Sequence, residues 1–222
     1  MNNTFKLSLA VLALAAGAAH AQTAGSWLVR GGATQISPDV TSGNLTAPSL
    51  PGTQADIKSN TQLSGGVTYM LRDNWSIDVP VALPFKHDIV GMGAIAGVGK
   101  IGEVKALPIT LLGQYRFMGA KDNFRPYLGA GLTYAKFYKA RSTAALTALT
   151  GGTPANPTTI NVQSKLAATV QVGGNFSLAP GWSLDATVLK TFLKTRTTLS
   201  TGQTLDAKLD PLSISLGVGY KF

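Results

Sequence analysis

The chain has 222 residues, 45% apolar and only 13% charged, with nineteen Lys and Arg against ten Asp and Glu. Cysteine is absent, which excludes disulfides, thiolate metal sites and a thiol nucleophile, and the only histidines are His20 and His87, too few for a multi-histidine metal centre. Sparse charge, 25 glycines and a single glutamate, Glu103, fit a chain whose surface is not wholly in water.

Residues 1–21 carry Lys6, a short apolar run from Leu7 to Ala16, and the small-x-small triplet Ala19-His20-Ala21. This predicts a secretory signal removed after Ala21, leaving one exported domain over 22–222. No later run reaches the roughly 18 apolar residues of a transmembrane helix.

From there the period is two. The stretch 26–36 alternates. Leu63, Val67, Tyr69 and Leu71 alternate with Gln62, Ser64, Gly66 and Thr68. The stretch 75–87 follows. Next come Leu107, Ile109, Leu111, Tyr115 and Phe117, then Leu128, Ala130, Leu132 and Tyr134. Leu166, Ala168, Val170, Val172 and Phe176 form another apolar face, and 182–195 another. The last strand sets Leu212, Ile214, Leu216, Val218, Tyr220 and Phe222 against Ser213, Ser215, Gly217, Gly219 and Lys221. That gives eight strands of about ten residues, the length that crosses a bilayer when tilted. Three connections are tight: 72–74, 119–123 and 179–181. Each is followed by an aromatic, Trp75, Phe124 or Trp182. The other four, 37–60, 88–102, 139–163 and 196–205, are long. The pattern predicts an all-β fold: an eight-stranded antiparallel transmembrane β-barrel with short periplasmic turns, long extracellular loops and an aromatic girdle. A soluble lipocalin-like barrel would share the alternation, with its apolar face turned inward. The small, uncharged polar face and the aromatic strand ends favour the membrane. Tyr220 and Phe222 match the C-terminal signal that the barrel-assembly machinery reads during insertion.

Several pieces, in order along the chain, carry a family resemblance. They are Arg30-Gly31-Gly32-Ala33-Thr34, residues 60–79, Leu83-Pro84-Phe85-Lys86-His87-Asp88-Ile89, and Leu107-Pro108-Ile109-Thr110-Leu111 leading to Gln114-Tyr115-Arg116-Phe117. Arg125-Pro126-Tyr127-Leu128-Gly129-Ala130-Gly131 and Leu209-Asp210-Pro211 follow, with Gly219-Tyr220-Lys221-Phe222 at the end. Together they resemble the outer membrane protein W (OmpW/AlkL) family over essentially all of 22–222. The resemblance implies a narrow barrel with a largely hydrophobic interior that passes small apolar molecules, which leave sideways through the wall. It also implies receptor roles toward bacteriocins or phage in some members, and no enzymatic activity. The family's hydrophobic constriction aligns with Pro80 and Leu189.

Eight strands leave little lumen, so a wide aqueous pore is excluded. With Leu212 and its partners facing lipid, the opposite parity turns Ser76, Asp78, Pro80, Ala82 and Pro84 inward, together with Ser183, Asp185, Thr187, Leu189, Thr191 and Leu193. Arg30 and Arg116 are the expected partners of Asp78 and Asp185 in a charged lumen plug. Met70, Pro80, Ala82, Leu112, Leu189 and Leu193 are expected as an apolar constriction at middle and higher levels, either lining a channel or filling a solid core. Pro80 and Pro84 cannot donate ladder hydrogen bonds, so they mark a possible lateral exit or a bulge that re-aims the strand. His87-Asp88 lacks the serine elbow and oxyanion hole of a hydrolase. Lys136, Lys139 and Arg141, and Lys190, Lys194 and Arg196, cluster at strand ends on the long-loop side. There they face lipopolysaccharide phosphates or simply water. No nucleic-acid-reading motif occurs. Residues 142–150 fit one or two helical turns. The expected function is passive passage of small hydrophobic solutes by a monomer without cofactors. The alternative is a closed structural or receptor barrel whose loops bind lipopolysaccharide, phage or bacteriocin.

Overall fold

The structure is a computed structural model and describes residues 22–222. The signal segment expected over 1–21 lies outside the described residues. Among the described residues fourteen strands and one helix follow in order: β1 (Trp27–Ser37), β2 (Thr41–Ser42), β3 (Thr53–Ile57), β4 (Asn60–Met70), β5 (Trp75–Ala82), β6 (Phe85–Gly93), β7 (Lys100–Arg116), β8 (Phe124–Ser142), α1 (Ala144–Leu149), β9 (Ile160–Val162), β10 (Lys165–Ala179), β11 (Trp182–Phe192), β12 (Lys194–Leu199), β13 (Thr204–Lys208) and β14 (Leu212–Lys221). Strands β1, β4, β5, β7, β8, β10, β11 and β14 close into an antiparallel ring, β14 returning to β1. This is the eight-stranded barrel that the alternation predicts. Closure removes the two outer edges that an open sheet would present to another chain.

The outer face is a band of exposed apolar side chains, among them Val79, Ile109, Leu132, Val172, Ile214 and Leu216. Such a band is stable only against lipid or a partner of similar polarity. Beside the tight turns an aromatic girdle forms. Trp27 packs on Tyr69, Trp75 on Tyr115, and Trp182 on Tyr220, which also meets Phe222.

At the other end the strands are longer than the ten-residue expectation. β7 has 17 residues and β8 has 19. Segments read from sequence as irregular loops are largely strand. β2, β13, β12 and β9 form a separate four-stranded sheet, and α1 falls inside the helical stretch expected at 142–150. Two apolar clusters fill this extension. One gathers Leu45, Ile89, Ile101, Val104 and Leu146; the other gathers Ala135, Ala167, Leu193 and Leu209. Phe137 packs against both.

The stretch 75–87 is not one strand. β5 ends at Ala82, Leu83-Pro84 intervene, and β6 resumes with its parity inverted, so that Phe85 and His87 are buried. Pro84, expected to point inward on a continuous strand, sits in this break. Across from it the ladder is interrupted. The last β5–β7 rung is Asp78↔Leu112 and the first β6–β7 rung is Phe85↔Ala106. Val79–Pro84 and Leu107–Leu111 therefore face each other without pairing.

Two prolines account for the interruption. Leu83 N–H donates to Leu63 on β4, so odd-numbered amides of this strand point to β4 and even-numbered ones to β7. Pro80 therefore lacks its donor on the β7 side. Arg116 N–H donates to Asn74 on the β5 side, and the β7–β8 register runs unbroken from Lys105 to Arg116. Even-numbered amides of β7 thus point toward β5, and Pro108 lacks its donor there. Each edge of the gap is missing a hydrogen bond at a proline.

Candidate functional site

The lumen has three levels. The lowest, toward the tight turns, is a polar plug. Arg30, from β1, donates two hydrogen bonds to Asp78 at 2.7 and 2.8 Å and a third to Thr68 at 2.9 Å. Its Nε lies 3.6 Å from Asp185, which accepts from Tyr127 Oη at 3.0 Å. Asp78 is fully buried and also accepts from Thr68 at 2.6 Å. Burial of these charges is sustained only because each finds an opposite charge and at least one hydrogen bond.

Arg116 departs from the expected pairing. Among the described residues no carboxylate lies within ion-pair distance of it. It donates to Ser76, Gln114 and Gln22, and lies 4.8 Å from the centre of the Tyr127 ring. The reason is that Arg30 and Tyr127 already occupy Asp185. Arg125, which the sequence did not single out, is buried beside it and donates to Gln22 and to the Asp73 carbonyl. Gln114 donates to Gln171 at 2.7 Å, and the plug is continuous across the barrel.

Two glycines make room for this packing. A Cβ on Gly66 would lie 2.6 Å from Arg30 Nη2, and one on Gly173 would lie 2.4 Å from the Tyr127 ring. Tyr127 is buried on all sides and cannot step aside freely. Gly173→Ala is therefore expected to cost about 1–3 kcal/mol by overpacking. A lowered urea midpoint in lipid vesicles would show it; an unchanged midpoint would mean that the Tyr127 ring yields.

Above the plug lies an apolar cavity of about 120 Å³. In this measure a single water needs on the order of 10–15 Å³, so the space suits a slender or small-ring molecule, not an open aqueous pore. Pro80, Ala82, Leu189 and Leu193 line it, as does Pro108. Met70 and Leu112 do not. Met70 is the last residue of β4, level with Ser76 at the tight-turn end, and Leu112 stands opposite Asp78. Both are fully buried within the plug level, so they leave the expected apolar constriction. On one side Thr110, Thr133, Thr169 and Thr191 join hydroxyl to hydroxyl at 2.8, 2.6 and 3.0 Å. These groups satisfy one another and leave few free donors for a polar solute.

A second apolar cavity, of about 70 Å³, occupies the extension beyond the barrel rim. Ile57, Val104, Phe137 and Leu209 line both cavities and form the partition between them. The gap between β5 and β7 opens beside the first cavity, since Pro80, Ala82, Pro108 and Thr110 line it from both edges. Outside, the lips of the gap are Val79, Val81, Leu83, Ile109 and Leu111, all exposed.

His87 and Asp88 do not work together. His87 Nδ1 bonds the Lys58 carbonyl at 2.8 Å, whereas Asp88 pairs with Lys100 at 2.7 Å. The basic residues expected on the long-loop side all lie at that end. Lys136, Lys139 and Arg141 are exposed on β8, with Lys139 in a bulge at φ +49°. Lys190 is half-buried and donates to the Asp210 carbonyl. Lys194 and Arg196 stand on β12, where Arg196 makes a two-point pair with Asp206.

The profile of the OmpW family matches residues 23–222. The chain belongs to the OmpW family. Outer membrane protein W of Vibrio cholerae serotype O1 is 33% identical over 221 residues, covering 96% of this chain and 97% of the relative. The dibenzothiophene metabolism operon protein PahQ of Pseudomonas aeruginosa is 26% identical over 200 residues, covering 88% of each. The crystal structure of outer membrane protein OprG from Pseudomonas aeruginosa superposes with a TM-score of 0.81 at 28% identity, covering 91% of this chain and 98% of that one. The barrel is thus an outer-membrane protein of the OmpW type, and its exposed apolar band is its lipid-facing surface. In this family member the ionic plug and the wall gap are two parts of one lumen.

Proposed function

We propose that this barrel is a passive channel for small hydrophobic molecules. A solute partitions into the apolar cavity of the extension, passes the Ile57–Val104–Phe137–Leu209 partition, and enters the larger cavity. The plug below stops it, because an apolar solute cannot displace paired buried charges. It leaves sideways between β5 and β7 into the lipid. The observation that carries this reading is the coincidence of the unpaired wall with the apolar cavity just above the plug. Prolines on both edges keep that wall unpaired. The operon name of one relative concerns an apolar sulfur heterocycle, in keeping with such cargo.

The test is uptake of a medium-chain alkane by intact cells with and without the protein, beside a polar sugar. A gain for the alkane alone is expected. A gain for neither, with the barrel inserted, would favour the closed structural or receptor barrel. Phe137 sets the partition, so Phe137→Ala is expected to raise uptake of bulkier apolar probes several-fold and Phe137→Trp to lower it. Equal uptake by all three proteins would remove the partition from the route.

A further inference from the structure

A groove of about 940 Å³ lies on the outer wall at the long-loop end. Its origin is a parting of strands. β10 and β11 stay paired up to Ala168↔Phe192. Beyond that rung Lys165 keeps only its β8 partner, Ala135, while β12 turns away to pair with β13 and β9. The groove opens between β10 and the β12–β13 hairpin.

Its lining has two chemistries, one above the other. Leu166 and Phe192, 62% and 53% exposed, belong to the lipid-facing band. Lys165, Lys194, Arg196 and Lys208 stand beside them, with Asp206 and Asp210 as the acids. The acids do not neutralise the set. Arg196 binds Asp206 at two points, both 2.7 Å, and holds that carboxyl below the ordinary carboxylate range. Asp210 is buried, accepts from the Leu193 amide, and meets Lys208 at 2.9 Å. Among the described residues no carboxylate lies within ion-pair distance of Lys165 or Lys194.

A second observation concerns register. Lys194 stands directly opposite Lys208 in the β12–β13 hairpin. Like charges at directly opposed positions destabilise a hairpin; Asp210 offsets Lys208, whereas Lys194 has no carboxylate within ion-pair distance among the described residues. The cations thus converge on an open space immediately above exposed hydrocarbon. A free anion would use only the cations; the apolar floor would have no role.

We propose that this groove binds lipid A of lipopolysaccharide, a phosphate resting among Lys165, Lys194 and Lys208 and an acyl chain lying on Leu166 and Phe192. The site is independent of solute passage: a barrel that conducts nothing would still carry it. It also separates the basic residues into two sets, since Lys136, Lys139 and Arg141 on β8 lie outside the groove.

The full barrel in lipid nanodiscs, titrated with bisphosphorylated lipid A and read by native mass spectrometry, tests the assignment. Lys165→Gln with Lys194→Gln is expected to weaken binding about tenfold or more, through loss of two charge-assisted contacts. Lys136→Gln with Arg141→Gln should leave it within about twofold, as exposed charges outside the contact contribute little. Lipid A stripped of phosphate should bind as weakly as the first variant shows, and millimolar inorganic phosphate should not compete. Equal affinity of both double variants would overturn the proposal, as would competition by inorganic phosphate as effective as lipid A. Retained heat-modifiable gel mobility verifies folding. Should the first variant fail that check, Lys194→Gln alone, at an exposed lysine with no ion pair to lose, gives the same reading with a single change.

Discussion

Asp78→Ala is expected to cost the barrel about 3–5 kcal/mol, because it leaves the Arg30 guanidinium buried without its main counter-charge. Arg30 would retain Thr68 and the longer contact to Asp185 at 3.6 Å. Those are too few for a buried cation whose two-point pair has been removed. The measurement is urea unfolding in lipid vesicles, followed by loss of heat-modifiable gel mobility. Asp185→Asn should cost less, since its contact to Arg30 is longer and the amide can still accept from Tyr127. Replacing both members of the pair, Arg30→Met with Asp78→Leu, should recover only part of the loss, because it removes the orphaned cation but takes from buried Asp185 the guanidinium 3.6 Å away. If the single and double variants are equally unstable, the pair contributes packing and not charge balance. The same series has a functional reading. Asp78→Ala should raise single-channel ion leak in planar bilayers, whereas the apolar double variant should stay as closed as the parent.

The lumen floor shows how far the alternation could be followed. Side-chain parity follows directly from a period of two, so Arg30, Asp78 and Asp185 could be turned inward from the sequence. Level within the lumen is different. It depends on how neighbouring strands are staggered, and nothing local encodes the stagger. Parity and chain position therefore put Met70 and Leu112 too high. Parity also pairs Arg116 with a carboxylate that Tyr127 and Arg30 already hold, because competition for one partner is a property of the packed lumen. Gln22, which accepts from both Arg116 and Arg125, gives no periodic signal at all. The β12–β13 hairpin is legible in principle: β12 is rich in threonine, and the turn Ser200-Thr201-Gly202 separates it from β13. Length and composition alone mark it as loop. The break at Leu83-Pro84 was half legible. A proline in mid-strand signals an interruption, yet the inversion of parity at Phe85 needs the second strand to define it. Pro108 is the clearest case. Alone it reads as an edge proline, and only the hydrogen-bond direction of β7, fixed by Arg116, aims its missing donor at the same gap as that of Pro80.

That shared gap sets the second large effect. Pro80→Ala with Pro108→Ala returns one amide donor to each edge. Each restored ladder bond contributes about 0.5–1.5 kcal/mol net. Together they bias the wall toward closure by about 1–3 kcal/mol, which corresponds to roughly 5- to 150-fold fewer open barrels. Alkane uptake is therefore expected to fall roughly tenfold or more. Alanine is chosen because it is smaller than proline, so a loss of uptake cannot come from filling the cavity that Pro80 and Pro108 line. The variant should unfold no more readily than the parent, since it gains hydrogen bonds and loses no ion pair. The combination separates two explanations. Lower uptake with equal or greater stability locates the exit in the wall between Val79–Pro84 and Leu107–Leu111. Unchanged uptake, with amide exchange showing the new donors protected, would mean that the wall has closed and solute leaves elsewhere. Because the buried charges and hydrogen bonds of the plug below still bar the way, the remaining route would be back through the Phe137 partition, and the Phe137→Trp variant would then block what the closed wall does not.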